Sequence, residues 1–346
     1  MKRLFTFLAI IATVSLYAQD EEPKAFNVSG SLDVYFRQNI TGPNGSEAIA
    51  PATAFANLNG FALGMANVVA SYEKGKVGAV ADLVFGPRGE DATFLSPALR
   101  PGGSSNIVNQ LYVYWNVSDK VTLTLGNFNT FLGYEVISPV ANFNYSTSYM
   151  FSYGPFSHTG IKADFAISDD VSAMVGILNN TDATEYNFDN DYTLGGQLGY
   201  KGTFLNLLYG KQGGNTEATF QVDLTTGYDV SDTFFLGLNA TYADTDGSAF
   251  YGAALYPQFK TSEKLTIGLR AEYFGETEGG VGAIGAYDDG DASVIDLTLT
   301  GSYEVGNLII KPELRLDSAS EEIFVDNDKD PSKSLASFVI AGIYKF

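Results

Sequence analysis

The stretch Gln110-Leu111-Tyr112-Val113-Tyr114-Trp115-Asn116-Val117-Ser118-Asp119-Lys120-Val121-Thr122-Leu123-Thr124-Leu125-Gly126 reads as strand, turn, strand. Apolar Leu111, Val113 and Trp115 alternate with Gln110, Tyr112, Tyr114 and Asn116. After a short polar break, Val121, Leu123 and Leu125 alternate with Thr122, Thr124 and Gly126. A period of two puts neighbouring side chains on opposite faces of a strand. One face here is aliphatic and aromatic, the other small and polar. The same unit recurs along most of the chain, and that recurrence decides the fold class.

Upstream, the pattern predicts strands at 26–37, 60–72 and 77–85, separated by a long loop and by the tight turn Lys74-Gly75-Lys76. Another loop with Pro87, Pro97 and Pro101 leads into the quoted hairpin. Downstream, the pairs 159–167 and 171–179, 194–200 and 204–209, 220–228 and 234–242, 251–259 and 265–274, and 295–303 and 308–316 read as strands, with 336–346 as the last. The turns Ile167-Ser168-Asp169, Val230-Ser231-Asp232 and Thr261-Ser262-Glu263 resemble Val117-Ser118-Asp119. We count sixteen predicted strands, joined by seven short and eight longer connections. Pro257 and Pro312 fall inside two of them. Proline lacks a ladder donor, so each predicts a bulge or a misplaced strand end.

Strands near ten residues match a tilted strand crossing hydrocarbon. Short turns at one end and long loops at the other are the arrangement of an outer-membrane barrel. A soluble β-sandwich also alternates, but it holds about 7–9 strands and does not alternate turn lengths. Aromatics near strand ends (Tyr228, Tyr242, Phe259, Phe274, Tyr303 and Tyr344) suit interfacial girdles. The fold expected is all-β, a transmembrane antiparallel up-and-down barrel of about 16 strands, with 14 or 18 as alternatives. Both termini then lie on the short-turn, periplasmic side.

Met1-Lys2-Arg3 followed by apolar 4–17 and Ala18 reads as a secretory signal peptide, 1–18, leaving 19–346 as one barrel domain of the bacterial outer membrane. No later run of 18 apolar residues predicts a membrane helix. Absence of cysteine argues against a disulfide-stapled secreted scaffold. The formal charge of −20 argues against nucleic acid as a partner.

Between residues 109 and 180 the chain resembles the outer-membrane β-barrel porins called OmpL-like, familiar from Bacteroidetes-type bacteria. The resemblance rests on Leu125-Gly126-Asn127-Phe128, Gly133-Tyr134-Glu135, Asn142-Phe143-Asn144-Tyr145-Ser146, Tyr153-Gly154-Pro155-Phe156 and His158-Thr159-Gly160. The terminal Phe346 is similar to the signature read by barrel-assembly machinery. The resemblance implies a pore for small solutes and assigns no residue roles.

About sixteen strands leave an aqueous channel. The predicted inward set lines it: Asp33, Arg37, Lys162, Asp164, Gln221, Asp223, Arg270, Glu272, Asp296, Lys311, Glu313, Arg315 and Asp317. On the strand at 308–316, leucine and isoleucine face out while Lys311, Glu313 and Arg315, followed by Asp317, face in. Mixed charges across a lumen set up a transverse field, or merely neutralise one another. The loop at 129–157 is a candidate constriction, offering Asn142, Asn144, Tyr145 and Ser146 as neutral hydrogen-bonding groups. An ordinary external loop is the other reading.

Other chemistry is weaker. His158, the single histidine, would need Ser157 or another serine beside it on a lipid-facing rim to make a hydrolase. Asp326, Asp328 and Asp330 imitate a calcium loop, yet Pro331 replaces the required glycine and Ser337 the terminal glutamate. Gly279-Gly280-Val281-Gly282 precedes no helix and is no phosphate cradle. No cofactor or metal is expected. The expectation is a non-enzymatic porin for small polar solutes, in contact with outer-membrane lipid and lipopolysaccharide. A homotrimer and a monomer both stay open, as does a non-conducting surface barrel.

Overall fold

The computed structural model describes residues 24–51, 55–94, 105–187, 190–212, 217–278, 284 and 291–346. The expected leader at 1–18, Pro97, Pro101 and the stretch from Gly279 to Gly282 lie outside them. Among the described residues the strands run in chain order: β1 (Lys24–Asn39), β2 (Gly60–Lys74), β3 (Val77–Phe85), β4 (Val108–Ser118), β5 (Val121–Asn129), β6 (Ser157–Ala166), β7 (Val171–Leu178), β8 (Thr193–Tyr200), β9 (Thr203–Lys211), β10 (Ala218–Ser231), β11 (Phe234–Thr245), β12 (Ser248–Lys260), β13 (Leu265–Thr277), β14 (Ala292–Val305), β15 (Leu308–Ala319), the two-residue pieces β16 (Phe324–Val325) and β17 (Pro331–Ser332), and β18 (Ser334–Lys345). Two short helices, α1 (Pro87–Ala92) and α2 (Tyr149–Tyr153), sit in connections.

Sixteen strands close into one antiparallel barrel, each beside its sequence neighbour, with β18 sealing against β1. Leu32 faces Tyr344 across the seam. Past the end of β18, Phe346 N donates to Gly30 O and Gly30 N to Phe346 O, both at 3.0 Å. The small two-stranded ladder β16–β17 lies in the connection before β18.

Alternation produces this shape directly. Leu111, Val113 and Trp115 are all exposed on the outside, and every barrel strand carries at least one exposed large apolar side chain. Such a continuous apolar belt is a lipid-facing surface. Among the described residues no helix is long and apolar enough to cross a membrane.

Three expectations need correction. The connection expected between 242 and 251 is a tight turn: β11 and β12 run on to Thr245 and Ser248, and only Asp246 (φ 54°) and Gly247 (φ 91°) join them. Aspartate and glycine tolerate the positive φ that such a hairpin turn needs. Phe274 belongs to no girdle. It is fully buried inside the barrel, because outward parity on β13 falls to Tyr273. Pro257 and Pro312 cause neither bulge nor strand end. Pro257 pairs with Leu236 and Pro312 with Ile340, in unshifted register, and the ladder omits pairs only on the proline's other side.

The seam is also a steric fit. A Cβ at Gly30 would run into the Asn67 carbonyl and the Phe346 ring. We predict that Gly30→Val lowers the melting temperature of the folded, heat-modifiable band, with a stability loss of about 1–3 kcal/mol. Unheated and heated gel samples would check this.

Candidate functional site

The inner wall is polar, and its β13–β15 side is densely charged. Arg270 contacts Asp296 at 2.8 Å, and Arg315 contacts Asp317 at 2.8 Å and Asp296 at 3.3 Å. All four are buried. Buried charges are tolerated only when paired and hydrogen-bonded.

The partners come from residues 130–156, which leave β5 and return to β6 through the interior. Backbone N–H groups of this segment meet wall carboxylates. Tyr145 N and Ser146 N donate to Glu313 at 2.8 and 3.1 Å, and Tyr149 N and Met150 N to Glu272 at 2.9 and 2.8 Å. Its carbonyls meet wall cations: Ser146 O accepts from Arg270 at 2.6 Å, Thr147 O from Arg315 at 2.8 Å, and Pro139 O from Lys311 at 2.9 Å. Asn142 O also accepts from Lys311. Charge-assisted bonds of this kind are the stronger class. The segment's helix α2 is capped by Ser148, whose Oγ accepts from Phe151 N.

Shape reinforces the bonding. Phe143 lies over Gly268 of β13 and Tyr134 over Gly237 of β11; a Cβ at either glycine would strike the ring. Tyr134 also stacks on Tyr256, with ring centroids 4.3 Å apart.

Each sequence-predicted residue has a definite place. Asp33 accepts from Tyr145 Oη at 2.6 Å and Met65 N at 3.1 Å. Arg37 is buried, and its two terminal nitrogens have no hydrogen-bond partner among the described residues. Asp223 accepts from Gly133 N, Asn206 and Asn239. Gln221 donates to Thr241 at 3.2 Å. Asn144 donates to Thr300, Ser146 Oγ accepts from Arg270, and Asn142 bonds within its own segment to Val136. Lys162 and Asp164 stand apart, paired with each other at 2.8 Å and only partly buried.

Sequence reasoning missed three groups. Glu135, the one charged residue in 129–157, binds Arg270 at 2.9 Å. Its isolation among neutral residues was the available signal. Arg88 on α1 donates to Ile137 O and Tyr145 O and stacks over the Tyr145 and Phe55 rings. Asp182 in the β7–β8 connection accepts from Phe156 N at 2.7 Å and Ser157 N at 2.8 Å, where the segment leaves the interior. Burial pushes its carboxyl up to about 7, against the opposing pull of those two bonds.

The hydrolase arrangement is not what the structure holds. His158 is buried, its Nε2 lies 2.9 Å from Thr130 Oγ1, and its ring packs against Phe131. Asp326 accepts from Asp328 N and Asp330 N, closing its own turn. Among the described residues no group of three His, Cys, Asp or Glu is placed to hold a metal.

Two cavities flank the segment. One of about 560 Å³ at the short-turn end is lined by Tyr134, Asn142, Phe143, Gln258, Lys264 and Lys345, among others. The other, about 380 Å³ at the long-loop end, includes Tyr153, Asp182, Gln212, Gln221 and Asp244.

Arg270→Ala would leave Glu135 buried without its cation and Asp296 with Arg315 alone, at 3.3 Å. We expect a loss of about 3–5 kcal/mol and faster hydrogen exchange of the amides at 145–150. Lys162→Ala, at a half-exposed pair, should cost under about 1 kcal/mol and leave those amides unchanged.

The family model described as "Putative beta-barrel porin-2, OmpL-like" matches residues 25–346. Among solved structures, the in-vitro folded OmpT, an outer membrane protein of Vibrio cholerae, is similar with a TM-score of 0.55 at 12% identity, over 95% of this chain and 100% of that one. Its trimer form gives 0.55 at 13%, over 94% and 100%. A mutant of Rh. blastica porin gives 0.50 at 11%, over 93% and 100%. At these identities the likeness is one of fold. No curated protein matches the chain.

Proposed function

The chain belongs to the OmpL-like family of β-barrel porins, and from that membership we propose that it sits in a bacterial outer membrane and passes small hydrophilic solutes by diffusion. It acts as a channel and not as an enzyme. The observation that carries this reading is the asymmetry of the lumen. On the β13–β15 side the segment seals against the wall, and Arg270 has no exposed side-chain surface. On the β6 side the Lys162 and Asp164 side chains keep 23% and 38% of theirs. Water reaches that side, and solutes would pass there, beside the segment, with 130–156 acting as the constriction.

The remaining assignments follow the same reading. Residues 1–18 serve as the export signal, Phe346 is read during assembly, and the outer belt meets lipid and lipopolysaccharide. The Vibrio cholerae OmpT structure described as a trimer form makes a homotrimer the assembly to look for.

A non-conducting barrel is favoured by one observation, the number of bonds that fasten the segment to the wall. Single-channel recording separates the two. We expect small, steady conductance steps from the wild-type protein, and several-fold larger steps when residues 136–148 are replaced by a short glycine-serine link. A silent wild type with a conducting deletion variant would identify a plug. Silence from both would overturn the porin reading.

A further inference from the structure

We infer that the cavity at the long-loop end is a binding subsite for a solute carrying a protonated amine, held by Asp182 and Asp244. The inference deepens the diffusion reading and rests on it only for the solute's onward passage.

The chemistry of the wall points to a cation. Among the described residues lining this cavity, Asp182 and Asp244 are the only charged ones. Asp182 is nine-tenths buried. Its Oδ1 takes the amides of Phe156 and Ser157, while its second oxygen accepts no protein hydrogen bond among the described residues. The groups facing it are neutral or acidic: the Tyr153 phenol, Gln212 and Gln221 amides, and the Asp244 carboxyl across the cavity. His158, one residue beyond Ser157, is bound to Thr130. The carboxyl's upward shift to about 7 reflects burial without a counter-ion. An ammonium group would supply the missing charge and restore the ionised form.

Other acceptors are available. Gln221 donates through Nε2 to Thr241, which leaves its carbonyl oxygen open. Among the described residues the Asp244 carboxylate makes only long bonds, 3.3 Å from Tyr242 Oη and 3.4 Å from Gly247 N. An ammonium has three donors to distribute among such oxygens. A hard divalent ion wants six or more oxygens, and about 380 Å³ is more than a bare ion needs. It suits a small organic cation. The cavity at the other end contrasts with this one, since Lys264, Lys311 and Lys345 stand there beside Glu135, Glu263 and Glu304.

The test is calorimetric titration of the folded barrel in detergent with 1,4-diaminobutane, with 1,4-butanediol and potassium chloride as comparators. We expect the diamine to bind at pH 8.5 and the diol not to. Below pH 7, protonation of Asp182 competes with the ligand, so affinity should fall about tenfold per pH unit. At pH 6 it should be weaker by about that factor. Asp182→Asn should weaken binding at pH 8.5 at least tenfold, since its amide oxygen still accepts from Phe156 and Ser157 but carries no charge. Asp244→Asn should weaken it less, and the heat-modifiable band reports whether each variant folds. Absence of diamine binding, equal binding of the diol, competition by potassium at equal affinity, or an unchanged Asp182→Asn variant would each overturn the inference. Because binding is read without current, a silent barrel that takes the diamine defeats the diffusion reading alone. A conducting barrel that ignores the diamine defeats the subsite alone.

Discussion

Charges buried in the lumen need partners, and here many of the partners are backbone. Glu272 and Glu313 each accept two amides from residues 145–150. Arg270 and Arg315 each take a carbonyl, and Lys311 takes two. A carboxylate or guanidinium left alone at that depth would carry a desolvation penalty of several kcal/mol. Wall and segment are therefore interdependent. The wall could not keep this charge pattern around an empty centre without water to solvate it, and the segment could not lie across the barrel without donors and acceptors for its own backbone. The glycines at 237 and 268 add room where the rings of Tyr134 and Phe143 must approach.

Much of the barrel was legible because its signal is local. Period-two alternation fixes which side chain points outward, and parity on β15 places Leu308, Leu314 and Leu316 outside with Lys311, Glu313, Arg315 and Asp317 within. The misreadings were local as well. Polar Asp244-Thr245-Asp246-Gly247 looks like a loop by composition, but the Asp-Gly pair closes a two-residue turn. Phe274 looked interfacial by position near a strand end, yet the register with β14, where it faces Val294, turns it inward.

The site was less legible because its contacts are non-local. Glu313 and Tyr145 are 168 residues apart, and nothing periodic relates them. A stretch rich in Asn, Ser, Thr and Tyr is equally suited to an external loop and to an internal crossing. What distinguishes the two is the wall it meets. The inward charges on β13 to β15 include Arg270, Lys311 and Arg315 against Glu272, Asp296, Glu313 and Asp317, so carboxylates outnumber cations, and Glu272 and Glu313 draw N–H donors from the segment's backbone. Arg88 gave no such sign, since its role depends on α1 lying against the segment.

The distribution of bonds bears on how a crossed lumen can serve diffusion. Anchors of the segment fall on β1, β10, β13, β14 and β15, with Arg88 and Asp182 holding it from the long-loop end. Lys162 and Asp164 on β6 instead satisfy each other, two residues apart on one strand. A pair that neutralises itself asks nothing of the segment, so in the proposed reading that stretch of wall would stay wet without cost to the seal opposite. A solute moving along it would exchange bulk water for a polar surface and meet no buried unpaired charge. In the proposed diffusion reading the rigidity of the anchored side is useful, because it would keep the free cross-section narrow and constant. Diffusion through such a passage depends on solute size and hydrogen bonding more than on any motion of the protein.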